Sequence, residues 1–307
     1  MNNDVTEAYS NCRLCPRSCG VNRAAGERGY CGQTAQLFAA RAGLHFWEEP
    51  CISGAEGSGT VFFSGCNLRC IYCQNRQIAL GDQGQPITTT RLTEIFFELQ
   101  KKGANNINLV TPTHYVPHIR EALLQAKKQG FTLPIVYNTS GYEEVSTLRT
   151  LEGLIDVYLP DLKYRSAAPG ARFSNAPDYF EKASAALSEM YRQVGDPVFD
   201  PATGLMRRGM IIRHLLLPDG AGEAKRVLRY IHETFGDHVY VSIMNQYTPM
   251  PQIHDLPQFQ DIDRSVTKEE YERVLDFADK IGISLGYLQE GDTAKESFIP
   301  PFTGEGL

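Results

Sequence analysis

The most informative stretch of this chain is Phe62-Phe-Ser-Gly-Cys66-Asn-Leu-Arg-Cys70-Ile-Tyr-Cys73-Gln-Asn75. It places three thiols within eight residues, directly after an apolar segment with the character of a β-strand. Three cysteine thiolates can ligate three irons of a 4Fe–4S cluster. The fourth iron then lacks a nearby protein ligand and can bind a small molecule, so the spacing predicts a catalytic cluster rather than a simple electron carrier.

The three thiols are also compatible with a zinc site and with a purely structural role. Zinc is ligated by cysteine too, but a tetrahedral site would require a fourth ligand close by. Free cysteines are common residues of hydrophobic cores, so three buried, unligated thiols are the second alternative.

The composition is that of an acidic globular protein: 307 residues, 42% of them hydrophobic, with a formal net charge of −6. An acidic chain has no general electrostatic attraction to nucleic acid. The N-terminus lacks the features of a signal peptide, and no segment approaches the ~20 apolar residues that span a bilayer. We therefore expect a cytoplasmic protein without nucleic-acid or membrane partners, whose eight cysteines serve metal ligation rather than disulfides.

Short segments rich in β-branched or aromatic residues alternate with amphipathic segments after residue 56. The predicted strands are 60–64, 106–110, 134–138, 154–159, 210–217 and 239–244. The predicted helices are centred on 92–99, 119–126, 178–193, 224–231 and 271–278, with Thr267 and Glu270 as a capping box before the last. Segments 80–91, 164–177 and 249–266 are expected to be connecting loops. This alternation predicts an α/β fold with a parallel sheet and outer helices.

Polar motifs follow several of the predicted strands. Thr111-Pro-Thr113 follows the second strand, Asn138-Thr-Ser140 the third, and Asp161-Leu-Lys163 the fourth. In parallel barrels the active site lies at the carboxyl ends of the strands. We therefore expect these motifs and the three cysteines to surround one cavity.

Cys66-x3-Cys70-x-Tyr72-Cys73, with an aromatic residue before the last cysteine, resembles the signature of the radical S-adenosylmethionine (SAM) superfamily. Further segments, such as 48–50 and 158–164, resemble its branch related to pyruvate formate-lyase-activating enzyme. The resemblance implies a partial (βα)6 barrel, with a 4Fe–4S cluster on Cys66, Cys70 and Cys73 and SAM bound beside it.

The activity that this resemblance implies is an oxidoreductase reaction. SAM is cleaved to a 5′-deoxyadenosyl radical, which abstracts hydrogen from a substrate that the sequence leaves unidentified. The substrate could be a peptide, a protein or a small molecule, and activation of a glycyl-radical enzyme is one candidate reaction. A reductant such as flavodoxin or ferredoxin is expected as a partner. The alternatives are a non-catalytic iron–sulfur protein for electron transfer and a scaffold stapled by zinc.

The same resemblance assigns roles at the SAM site. Tyr72 is expected beside the adenine, and Asn138 and Ser140 are expected to reach the ribose hydroxyls. Asp161-x-Lys163 matches an Asp-x-Lys pair of the activating enzymes and could bind the two ends of the methionyl group.

The chain departs from the activating enzymes after the second strand. Those enzymes usually carry a Gly-Gly-Glu-type segment there, which binds the amino end of SAM. This chain has Thr111-Pro112-Thr113 instead, so the hydroxyls of Thr111 and Thr113, or freed backbone carbonyls, are expected to substitute.

A second group of cysteines precedes the barrel: Cys12-x2-Cys15-x3-Cys19-x11-Cys31, in a setting rich in glycine. Glycine and proline suit tight turns that fold thiols around an ion. The spacing favours structural zinc, with an auxiliary iron–sulfur cluster or unligated thiols as alternatives. We divide the chain into this module and its lead-in (1–55), the barrel (56–290) and a C-terminal tail (291–307).

Overall fold

The computed structural model describes residues 3–289 and 300–307. Within them the strands are β1 (Phe38–His45), β2 (Ser58–Phe63), β3 (Gln85–Pro86), β4 (Ile107–Val110), β5 (Ile135–Thr139), β6 (Val157–Pro160), β7 (Val198–Phe199), β8 (Met206–Leu215), β9 (Tyr240–Met244) and β10 (Gly286–Leu288). They form one sheet in the order β10-β9-β8-β6-β5-β4-β2-β1-β3, with β7 paired to β8.

The six predicted strands are confirmed as β2, β4, β5, β6, β8 and β9. They are parallel neighbours in chain order, which is the arrangement of a partial (βα)6 barrel. The predicted fourth strand began too early. Leu154 still belongs to a turn, with its N–H donating to the Leu151 carbonyl at 2.9 Å, and β6 begins only at Val157.

The helices are α1 (Asn3–Ser10), α2 (Pro50–Ser53), α3 (Arg76–Ala79), α4 (Thr89–Lys101), α5 (Val116–Lys128), α6 (Val145–Arg149), α7 (Ala167–Ser174), α8 (Tyr179–Val194), α9 (Ala221–Phe235), α10 (Pro251–His254) and α11 (Lys268–Ile281). Short 3-10 helices cover Arg23–Ala25, Thr113–Tyr115, Gly236–His238 and Pro257–Ile262. The predicted apolar stripes are buried, as Leu92, Ile95, Phe96 and Leu99 of α4 illustrate. The capping box of Thr267 and Glu270 is confirmed at the start of α11. No helix in the described ranges is both long and apolar enough to cross a membrane.

The prediction of a loop over 164–177 is wrong, because α7 lies within it. Pro169 and Gly170 conceal the helix, since both residue types disfavour helix interiors. Pro169 lies in the first turn, where proline is tolerated best. Gly170 is required by packing, because a Cβ there would lie 2.5 Å from the Ala176 carbonyl oxygen.

The segments 80–91 and 249–266 are also more ordered than plain loops. The first contains β3, which pairs with β1, and ends in the first turn of α4. The second contains α10 and the 3-10 helix Pro257–Ile262. Gln252 of α10 donates a hydrogen bond to the Ile71 carbonyl at 3.1 Å, so this segment packs against the cysteine loop.

Strand β1 is not among the predicted strands, although it pairs antiparallel with β2 over most of its length. The lead-in within residues 1–55 therefore contributes a strand to the sheet. The domain boundaries themselves stay predictions. Residues 291–299 of the predicted tail, like residue 290, lie outside the described residues.

Candidate active site

A cavity of about 340 Å³ opens at the carboxyl ends of the parallel strands. The cysteine loop after β2 lines it, as the sequence predicts. Nine of the ten predicted barrel-site residues lie on its wall: Cys66, Cys70, Cys73, Tyr72, Thr111, Asn138, Ser140, Asp161 and Lys163. The spacing of motifs along the chain therefore identified one shared cavity.

Thr113 is the residue that does not line the cavity. It is 1% exposed, and its hydroxyl donates to Glu143 Oε1 at 2.5 Å. Glu143 also accepts from the hydroxyls of Thr139 and Tyr137. Burial raises the pKa of Glu143 to about 7, against which these hydrogen bonds act. Thr113 thus belongs to a buried hydrogen-bonded cluster, and Thr111 alone of the two threonines reaches the cavity.

Thr111 occupies a strained backbone conformation. Its φ is +57°, in the left-handed region that β-branched residues rarely adopt. Its N–H donates to the Asn138 carbonyl at 2.9 Å, which ties the end of β4 to β5. Strain of this kind is concentrated at functional sites.

The cysteine loop turns sharply after β2. Gly65 has φ +87°, and a Cβ there would lie 2.7 Å from the Cys31 carbonyl oxygen. Cys66 Sγ accepts from the Leu68 N–H at 3.4 Å, and Cys70 Sγ accepts from the Ser174 hydroxyl at 3.0 Å. Such hydrogen bonds to sulfur are a means of tuning iron–sulfur clusters.

The thiols of this loop fit a cluster better than a single ion. Burial, reinforced by the neighbouring thiols, raises the pKa of Cys73 to about 12, so the group stays protonated unless a metal binds. Throughout residues 3–289 and 300–307, no three His, Cys, Asp or Glu side chains are arranged around a single metal position. Three cysteines on one loop beside an open cavity match a cluster that keeps one iron accessible.

A charged network lines the same cavity as the three cysteines. Asp161 accepts from Lys163 Nζ at 2.6 Å and from Arg213 Nε at 3.0 Å. Arg213, on β8, also donates to Glu48 Oε2 at 3.2 Å and to Asn138 Oδ1 at 2.6 Å. Burial opposes ionisation of Asp161, but the two cations hold its pKa below its usual value. Asp161 is therefore an ionised bridge between Lys163 and Arg213.

Glu48 and Glu49 are site residues that sequence reasoning missed. Glu48 Oε1 accepts from the side-chain amides of Asn108 at 2.9 Å and Asn138 at 3.2 Å. Glu49 Oε2 is buried without a hydrogen-bond partner among the described residues. Burial raises the pKa of both carboxyls. The available signal was the consecutive acid pair before Pro50, a pattern whose burial a single sequence does not reveal.

The ring of Tyr72, which lies on the cysteine loop, is linked to the Cys70 thiol through a series of hydroxyl groups. Its hydroxyl shares a 2.7 Å hydrogen bond with that of Tyr164, which in turn contacts the Ser174 hydroxyl at 2.9 Å. Ser174 is the donor to Cys70, so this chain fixes the tyrosine ring relative to the thiols.

The N-terminal cysteine module packs directly on the cysteine loop. Cys12, Cys15 and Cys31 are buried, and Cys19 is exposed. Between them, Arg17 donates to the Asn67 carbonyl at 2.8 Å and to the Ser174 carbonyl at 2.9 Å. This contact was not predictable from local sequence patterns, because it joins residues 50 and 157 positions apart.

Comparison with known proteins gives one family. The family model of the radical SAM superfamily matches residues 60–192, a range that includes the three loop cysteines, Asp161 and Lys163. An uncharacterized protein of Methanocaldococcus jannaschii is 28% identical over 289 residues, covering 91% of this chain and 77% of that protein.

Two solved structures give the level of structural similarity. Streptococcus suis SuiB, bound to S-adenosylmethionine, has a TM-score of 0.51 and 13% identity, over 75% of this chain and 50% of that chain. A domain of pyruvate-formate lyase-activating enzyme from Bacteroides vulgatus has a TM-score of 0.39 and 11% identity, over 57% of this chain and 92% of that domain. The match thus spans half the length of SuiB and supports the fold alone.

Proposed function

We propose that this protein is a radical SAM enzyme that abstracts hydrogen from a peptide or protein substrate, and the match of residues 60–192 to the family model of that superfamily supports the proposal. Cys66, Cys70 and Cys73 would hold the 4Fe–4S cluster. A reduced cluster of this kind supplies one electron to bound SAM, which splits into methionine and the 5′-deoxyadenosyl radical that takes the substrate hydrogen.

The main support for the proposal is that a cysteine loop and a charged network line one cavity. The three thiols of the cysteine loop line the same cavity as the network of Asp161, Lys163 and Arg213. An electron-transfer protein needs a closed set of cluster ligands and no such network. A site for a charged, amino-acid-like ligand beside the open iron accounts for both.

Charge balance supports SAM as that ligand. The cavity wall carries the carboxyls of Glu48, Glu49 and Asp161 against the cations of Lys163 and Arg213. One carboxyl is therefore unmatched by a cation, and burial disfavours its ionised form. SAM brings a sulfonium and an ammonium against a single carboxylate, so its net charge complements this excess.

The hydrogen bonds already made within the cavity indicate which residues are available to contact SAM. Both ends of the Asn138 amide are engaged, by Arg213 and by Glu48. We therefore assign Asn138 to positioning these two charged side chains, and contact with the ribose to Ser140. Tyr72, held by its hydroxyl, would present its ring to the adenine.

The rim of the cavity supports a peptide or protein as substrate. Trp47 and Leu288 line the cavity, although they are 59% and 54% exposed. Exposed large apolar side chains beside a pocket are typical of interaction sites. Activation of a glycyl-radical enzyme would be one such reaction. We also propose a cytoplasmic location and a reductant such as flavodoxin or ferredoxin.

The test is anaerobic reconstitution with iron and sulfide, followed by electron paramagnetic resonance of the reduced protein with and without SAM. SAM bound to the open iron should change the spectrum. The variant Cys66→Ala/Cys70→Ala/Cys73→Ala should lose the signal and its share of the absorption near ~400 nm expected for thiolate-ligated iron.

Cys51→Ala is the matched control, because Cys51 is a buried cysteine outside both cysteine groups. It should keep the cluster and the response to SAM. A cluster whose spectrum ignores saturating SAM would instead favour electron transfer.

A further inference from the structure

Arg23 is a buried cation in the N-terminal cysteine module. Its side chain is among the largest fully buried ones, with 1% exposure. It donates to the Cys12 thiol at 3.7 Å and to the backbone carbonyls of Gln33, Thr34 and His114 at 2.8–3.2 Å. Among the described residues, no carboxylate is a partner of this guanidinium.

A guanidinium in such a place needs an anion. Carbonyl oxygens satisfy its N–H groups, and the rings of Tyr9 and Tyr115 lie 4.4 and 5.7 Å from its central carbon. Neither kind of contact supplies a negative charge, and an unpaired buried charge is strongly destabilising. Arginine cannot avoid the cost by losing its proton. The nearby groups that can supply negative charge are the cysteine thiols, once a metal has displaced their protons.

Several thiols of the module lie close to one another and to the Arg23 side chain. A Cβ on Gly29 would lie 3.6 Å from Cys31 Sγ and 3.7 Å from Cys19 Sγ, so both sulfurs border the same small space. The Tyr30 N–H donates to Cys19 Sγ at 3.3 Å. Donors directed at sulfur are the usual surroundings of metal-bound thiolates.

We propose that Cys12, Cys15, Cys19 and Cys31 hold a tetrathiolate metal centre and that Arg23 is its buried counter-charge. Among residues 3–289 and 300–307 no three such side chains surround a single metal position, so the four thiols fit a 4Fe–4S cluster better than one zinc ion, and a cluster on four thiolates carries an excess of negative charge. Arg23 also bonds the His114 carbonyl, and His114 contacts the Ser64 carbonyl at 2.7 Å, two residues before Cys66. The centre therefore supports the active-site loop. This assignment does not depend on the proposed SAM chemistry.

The test uses the full chain carrying Cys66→Ala/Cys70→Ala/Cys73→Ala, so that the N-terminal centre is the remaining cysteine site. Protein made with both zinc and iron available is analysed for metal content, and release of metal to a chelator is timed. In that background Arg23→Gln removes the charge, Arg23→Lys keeps it, and Arg13→Gln is the control. Arg13 is an exposed arginine of the same module.

About four irons per chain would support a cluster at this centre, and about one zinc without iron would overturn the cluster assignment. Arg23→Gln should lower metal affinity by about 10–100-fold, the effect typical of lost outer partners, with Arg23→Lys intermediate and Arg13→Gln unchanged. Neither metal in the parent background would overturn the site. Equal retention in Arg23→Gln and Arg13→Gln would overturn the role of Arg23. If Arg23→Gln does not fold, Arg23→Lys against Arg13→Gln decides, and equal retention there counts against the proposal.

Discussion

Removing the charge of Asp161 should destabilise the protein through the two cations that it joins. Asp161→Asn keeps the shape of the side chain but leaves Lys163 and Arg213 without their shared anion. At an effective dielectric constant of about 20, contacts of 2.6 and 3.0 Å correspond to Coulomb energies of roughly 5–6 kcal/mol each. Desolvation offsets most of this, and deleting one partner of a buried pair costs about 3–5 kcal/mol.

Because the three side chains retain 13–16% exposure, water screens part of the interaction. We therefore expect the lower end, about 3 kcal/mol of the free energy of unfolding. Anaerobic urea denaturation near neutral pH measures this value. Folding lowers the pKa of Asp161. The ionised carboxylate therefore stabilises the folded protein above its ordinary pKa of 3.8, and this stabilisation is lost as the pH falls through the pKa of Asp161 in the folded state.

Asp261→Asn is the matched control for this substitution. Asp261 pairs with Arg172 at 2.6 Å, but the two side chains are 39% and 40% exposed. Such a pair contributes only about 0–1 kcal/mol. Equal losses in the two variants would refute the desolvated network. SAM affinity should also fall in Asp161→Asn, while cluster content stays near that of the wild type.

Three further substitutions test other parts of the account. Glu143→Gln should remove a pH dependence of the free energy of unfolding. Folding raises the pKa of Glu143 from 4.5 to about 7, so the wild type should lose about 3 kcal/mol of stability relative to the variant as the pH rises across that window. Denaturation at pH 4.5 and at pH 8 measures this difference. Thr111→Gly should relieve left-handed strain and raise the free energy of unfolding by roughly 1 kcal/mol, and a lower value would contradict the strain. Arg17→Gln should accelerate amide hydrogen exchange in residues 66–73 by about 10-fold or more, because hydrogen bonds from a charged group contribute about 1.5–3 kcal/mol; unchanged exchange would show that the module does not order the loop.

The repeating pattern of the barrel was predictable because each strand is short, apolar and followed by an amphipathic helix. The ends of parallel strands meet at one edge, so the positions of Cys66, Asn138 and Asp161 along the chain were enough to predict a common cavity. Thr113 shows the limit of that argument. Two residues beyond Thr111, it has entered a 3-10 helix and directs its hydroxyl to Glu143.

The remaining parts depend on contacts distant in sequence. Glu48 becomes a site residue because Arg213, 165 residues later, reaches it from β8. Strand β1 depends on pairing with its neighbours, and helix α7 depends on close packing at Gly170. Local sequence patterns do not encode either contact. The burial of Arg23 likewise follows from folding of the module onto the segment around His114.

The most direct test of the central claim is formation of 5′-deoxyadenosine. The reconstituted protein is reduced with dithionite in the presence of SAM, and the nucleoside is quantified by mass spectrometry beside the Cys66→Ala/Cys70→Ala/Cys73→Ala variant. We expect 5′-deoxyadenosine and methionine from the wild type and neither above background from the variant. A wild-type protein with a full, reducible cluster that leaves SAM intact would contradict it.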